Sequence, residues 1–152
     1  MSIDLKVHFW MMAKSDQQDV DLNYLATELE LEDLVLRKRP EMPIHAILAG
    51  YGKDCLEYCI SQQGIISTSE ILNTLEERFK TKTSRINELR EELDLDISVE
   101  IIVDENYSDR IIPELSRENL HFLSAIGASF CLYVYDWDVY QFDMPVKWEK
   151  EL

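Results

Sequence analysis

Along the first dozen residues, Ile3, Leu5, Val7, Phe9 and Met11 alternate with Asp4, Lys6, His8, Trp10 and Met12. A period of two is that of a strand with one face buried. The next apolar set, Leu22, Leu25, Ala26 and Leu29, recurs at helical spacing behind Asp19 and Asp21, which offer N-caps. Arg37-Lys38-Arg39 then runs into Pro40 and Pro43 and reads as a loop. Residues 44–48 and 55–60 read as two short strands joined by Gly50-Tyr51-Gly52, which permits a hairpin. Ser67-x-x-Glu70 has the form of a capping box ahead of a helix whose stripe is Ile71, Leu72, Leu75 and Phe79. The polar run 80–84 breaks that helix, and Ile86, Leu89 and Leu93 mark a second one. Leu95, Ile97, Val99, Ile101 and Val103 alternate as a strand. Ser116 caps a further helix bearing Leu120, Leu123 and Ile126, and Gly127 stands where a left-handed terminating residue belongs. Residues 128–135 are almost continuously apolar or aromatic, which predicts a central strand.

This order, β-α-β-β-α(α)-β-α-β, predicts an α+β two-layer sandwich: a mixed β-sheet of about five strands with helices packed on one face. A length of 152 residues suits one domain, placed at 1–138, with 139–152 as a C-terminal tail docked through Tyr140, Phe142 and Trp148. The chain opens with charges around its first apolar residues, unlike a signal peptide, and no apolar run approaches the roughly 20 residues of a membrane helix. Cys55, Cys59 and Cys131 make an odd set without Cys-x-x-Cys spacing, which suits a reducing, cytoplasmic setting. On a strand, Cys55 and Cys59 share a face but stand about 13 Å apart, too far for a disulfide.

Thirty acids against fifteen bases give a formal charge of −15. That field disfavours nucleic acid and anionic membranes and attracts basic proteins. No phosphate loop, nucleophile elbow or His-Glu-x-x-His motif is present. His8, on the second face of the first strand, His45 beside the prolines and His121 in mid-helix each read as satisfied or solvated residues. Asp94-Leu95-Asp96 and Asp136-Trp137-Asp138 place acids at strand boundaries, where they solubilise edges rather than bind a cation. Glu76, Glu77, Glu91 and Glu92 read as solvated helix faces. The pattern therefore predicts no catalytic site, cofactor or metal. Tyr133, Tyr135, Trp137 and Tyr140 fall at odd positions among Asp136, Asp138 and Asp143. Such aromatics either pack beneath helices or anchor a partner rich in Lys and Arg. Asp136, Trp137, Asp138, Tyr140 and Asp143 are the candidate partner-binding residues.

Several stretches resemble the bacterial family catalogued as domain of unknown function 4279. They are Val7-His8-Phe9-Trp10, Leu25-Ala26-x-x-Leu29, the Ser67-Thr68-x-x-Ile71-Leu72 helix start, Leu93 to Val99, and Ile126-Gly127-Ala128-Ser129-Phe130 leading into Tyr135. The resemblance spans about Val7 to Tyr135 and implies a fold more than an activity. It also implies an immunity protein of polymorphic or contact-dependent growth-inhibition toxins. On that reading a monomer or weak dimer neutralises a cognate basic toxin domain, with a nuclease as the expected activity. The alternative is a non-catalytic binding or regulatory module of unknown ligand.

Overall fold

The computed structural model describes residues 4–39, 52–64, 67–104 and 110–135. Strand β1 (Asp4–Ala13) is followed by α1 (Leu22–Leu29), β2 (Val35–Arg37) and β3 (Cys55–Gln63). Then come α2 (Thr68–Phe79), α3 (Thr83–Glu92), β4 (Leu95–Asp104), α4 (Arg117–Ala125) and β5 (Ala128–Tyr135). The strands form one five-stranded mixed sheet in the order β2-β3-β1-β4-β5. β1 pairs antiparallel with β3 and β4, β2 pairs antiparallel with β3, and β4 pairs parallel with β5. The fold is an α+β two-layer sandwich.

Strand alternation decides which face carries the helices. Leu5, Val7, Phe9, Met11 and Ala13 lie in register with Leu56, Tyr58 and Ile60 on one side and Leu95, Ile97, Val99 and Ile101 on the other. This single face joins the helix stripes in one core, in which Leu25, Ile71, Leu72, Leu75, Phe79, Ile86 and Leu89 are all inaccessible to solvent. Phe79 stands edge-on to Phe9 at a centroid separation of 4.6 Å and also packs against Tyr58 and Phe122.

The caps fall where the side chains permit them. Asp21 accepts from the Tyr24 N–H and Ser67 from the Glu70 N–H. The reciprocal box forms at α4, where Ser116 and Asn119 cap each other. Gly127 ends that helix with φ +66°, and a Cβ there would come within 2.7 Å of the Arg90 guanidinium. The helix break is at Lys80–Lys82, as its polar run predicts.

Four expectations need correction or fall elsewhere. Arg37, read with Lys38 and Arg39 as part of a loop, ends a strand, Val35–Arg37, that is outermost among the described residues and whose arginine Glu57 on β3 compensates. β5 is the outermost strand among the described residues, not a central one, and Leu132 and Val134 are 37% and 50% exposed. An apolar run reads the same whether a strand is flanked on both edges or only one. Leu120 is 54% exposed, and the buried position on α4 belongs instead to Asn119, whose amide is fully bonded. The strand at 44–48, its turn and the tail at 139–152 lie outside the described residues.

Replacing Phe79 with Ala should destabilise the chain by about 3–5 kcal/mol, whereas Leu120→Ala should cost under about 0.5 kcal/mol. Urea titration of both variants checks the assignment of the core.

Candidate functional site

The same alternation that buries Phe9 turns His8 and Trp10 to the face away from the helices. There the register sets Cys59 and Glu100 opposite His8, Glu57 and Ser98 opposite Trp10, and Val35 opposite Glu57. Arg37 lies opposite Cys55. His8 Nδ1 is 2.7 Å from Glu57 Oε1, and Arg37 Nη1 forms an ion pair with Glu57 Oε2. The other imidazole nitrogen, Nε2, stands 3.9 Å from the Cys59 sulfur. The Trp10 ring stacks on His8 at 6.0 Å, and the Arg37 guanidinium lies 6.0 Å from the centre of the indole.

This is a buried ionic cluster. His8, Arg37 and Glu57 are only 6%, 5% and 3% exposed. A carboxylate so deep is tolerated only when its partners replace lost hydration, and here two cationic groups use both of its oxygens. Burial alone would raise the Glu57 carboxyl, but the His8 hydrogen bond and the Arg37 charge hold it below the usual range. Burial would likewise lower His8, yet its bonds to Cys59 and Glu57 and their charges bring it to about 10, so the ring is an imidazolium at neutral pH. Burial raises Glu100 above an ordinary carboxyl, with His8 opposing the shift. It also pushes the Cys55 thiol up to about 12.

Acidic side chains gather at the end of the sheet where β1 finishes and β4 begins. Gln18 donates to the carbonyls of Leu93 and Asp94, which draws the 14–21 loop against the end of α3. The bases there are already engaged. Lys14 pairs with Asp94 at 2.8 Å, and Arg85 contacts Glu28 at 3.2 Å, Glu88 at 2.9 Å and Tyr24 at 3.2 Å. Lys38 bridges Asp19 and the buried Asp54, which also accepts from the Val20 and Arg39 N–H groups at 2.9 Å each. Glu91, Asp16 and Asp96 remain exposed on this rim.

Asp136, Trp137, Asp138, Tyr140 and Asp143 lie outside the described residues, as does His45. Tyr133 shares the face of His8, since its parallel partner is Ile102. It therefore does not pack beneath the helices. Glu76 is not a solvated helix acid: it accepts from the Asn119 amide at 2.8 Å. Asp94 stands in the left-handed region, φ 54°, just before β4, so the two acids of that triplet do not share a strand face. Among the described residues no group of three or more His, Cys, Asp and Glu side chains converges as metal ligands would. No described helix is long and apolar enough to cross a membrane.

Sequence reasoning missed the ionic cluster. The available signal was Glu57 within the apolar run 55–60, a charge where a covered strand has no reason to carry one. Its partners come from positions 20 and 49 residues earlier, and no spacing rule reaches them.

Glu57→Ala should cost about 3–5 kcal/mol, because it removes the carboxylate that two buried cationic side chains share. The pH dependence has a definite sign. His8, raised from 6.5, lends its full contribution below pH 6.5 and loses it as pH climbs toward about 10. Glu57, lowered from 4.5, contributes above that value and loses its share as pH falls. Urea midpoints should therefore fall from about pH 6.5 to 9.5, and His8→Gln should flatten that limb.

Comparison with family models, with curated proteins and with solved structures finds no match to this chain.

Proposed function

We propose that this protein binds and neutralises a basic protein, a toxin domain of the nuclease type, through its acidic surface. The observation that carries this reading is the charge of −15 together with a rim on which the bases are already paired with acids. An acidic surface whose own cations are satisfied internally leaves its remaining carboxylates to an external partner. Such a field accelerates encounter with a basic partner, and aromatic anchors then slow dissociation. The resemblance to the family of unknown function 4279, with its immunity proteins, points the same way.

Two groups of residues supply the contacts in this proposal. Glu91 and Asp96 provide charge at the rim, where Asp94 is already paired with Lys14. Trp137 and Tyr140, with Asp136, Asp138 and Asp143, provide anchors and further charge from the segment after β5. Binding needs no cofactor and no catalysis by this chain.

Co-expression is the test. Cells producing the basic toxin domain encoded beside this protein should survive only when the protein is present. Survival independent of it, or no complex at micromolar concentration in low salt, rules the proposal out. Within a complex, Trp137→Ala should cost about 2 kcal/mol, chiefly through faster dissociation. Charge reversal by Glu91→Lys with Asp96→Lys should slow association about tenfold in low salt and much less at high ionic strength. Stopped-flow association across a salt series separates the two effects.

A further inference from the structure

We propose that the exposed helix-side row of β5 is the docking surface for this chain's own residues 139–144, which pair antiparallel with that strand. Phe130, Leu132 and Val134 lie in register with Val99, Ile101 and Val103 of β4. The three β4 residues are sealed beneath the helices, whereas Leu132 and Val134 are exposed, so the helix cover gives out between the two strands. α4 packs against β5 and turns Leu120 to solvent. Five of the six large apolar side chains exposed among the described residues belong to β5, to α4 or to the approach to α4: Ile112, Leu115, Leu120, Leu132 and Val134. Exposed apolar side chains gathered on an outermost strand and its neighbouring helix mark a surface that takes a further segment.

The continuation of the chain matches this surface residue by residue. Asp136-Trp137-Asp138 follows β5, and Tyr140, Phe142 and Met144 then alternate with Gln141 and Asp143 before Pro145. One apolar row at a period of two is the pattern of a strand packed on one face. A three-residue turn over 136–138 needs a left-handed residue, a conformation that Asp tolerates better than most. That turn sets Tyr140 opposite Val134, Phe142 opposite Leu132 and Met144 opposite Phe130. The polar residues fall on the other face, Gln141 opposite Tyr133 and Asp143 opposite Cys131. A turn one residue shorter or longer would set Gln141 against Leu132 or Val134 and lose the match. Pro145 has no N–H for a ladder and ends the pairing.

Tethering favours this occupant over a second molecule. Residues 139–144 begin four positions after Tyr135, the last residue of β5, so they meet the surface without the cost of association. The inference goes beyond the proposed function and is compatible with it. Asp136, Trp137 and Asp138 stand at the tip of the hairpin, with Tyr140 next to them, where a partner reaches them.

The experiment uses the full chain and the native thiol of Cys131, which is free. Opposed residues of an antiparallel pair stand about 4.5–5.5 Å apart at Cα, within disulfide range. In a glutathione redox buffer, Asp143→Cys should therefore form an intrachain bond to Cys131 in most molecules, located by peptide mapping. Phe142→Cys, on the opposite face, should leave Cys131 free. Phe142→Asp should lower the urea midpoint, whereas Gln141→Asp should leave it in place. No bond between Cys131 and the thiol introduced at position 143, or a bond formed as readily from position 142, overturns the proposal. The same bond between two chains, read as a dimer on a non-reducing gel, also overturns it and makes a second copy the occupant. If Phe142→Asp fails to fold, the cross-link decides alone.

Discussion

β1 is hydrogen-bonded along both edges, to β3 on one side and β4 on the other, so its two rows of side chains sit at the centre of both faces of the sheet. A slip of one residue would exchange those rows. Leu5, Val7, Phe9 and Met11 would leave the helix layer, and His8 would enter it. The register is therefore held from two directions. The core holds it by excluding a polar row, and the opposite face holds it because His8 reaches Glu57 only from this pairing. The β4–α4–β5 crossover and the pair α2–α3 extend what β1 sets, since β3 and β4 run parallel to each other with β1 between them.

The opposite face has a different logic from the core. Apolar packing tolerates exchange of similar volumes, but a buried carboxylate needs named partners at bonding distance. Arg37 is supplied by a strand of three residues, the outermost and the shortest among the described strands. That strand ends at a charge, with Lys38 and Asp54 beside it forming a second, half-exposed ionic contact. The two contacts tie β2, the 14–21 loop and the start of β3 together. Ion pairs thus do for this edge what apolar contacts do for the rest of the sheet. The thiol of Cys59 lies at the boundary of this region, where a buried imidazolium meets solvent.

The excess of acids is distributed rather than uniform. Glu57 and Asp54 are structural, Glu76 is bound to Asn119, and Glu28, Glu88 and Glu92 surround Arg85. Other acids stand exposed on the surface, Asp96 at the rim beside the ends of β1 and α3 and Glu70, Glu77 and Glu118 on the helices among them. Net charge alone does not distinguish acids that hold the fold together from acids that present a field to solvent, but their partners do.

Local patterning was enough to define most of the elements of this protein. The alternation of 3–12 and 95–103, the stripe from Ile71 to Phe79, the break at 80–84 and the cap at Ser116 all depend on residues within a few positions of one another. Their periods survive in the chain whatever its tertiary arrangement. Tertiary structure decided the rest. The position of β5 outermost among the described strands, the short strand at Val35–Arg37 and the solvent side of Leu120 depend on what lies beside each element. The meeting of His8, Arg37, Glu57 and Cys59 depends on strand order and register, which bring together three segments separated by as many as 51 residues. A local period specifies which residues share a face. Only the pairing of strands specifies which faces meet, because hydrogen bonds between strands join backbones without regard to distance along the chain.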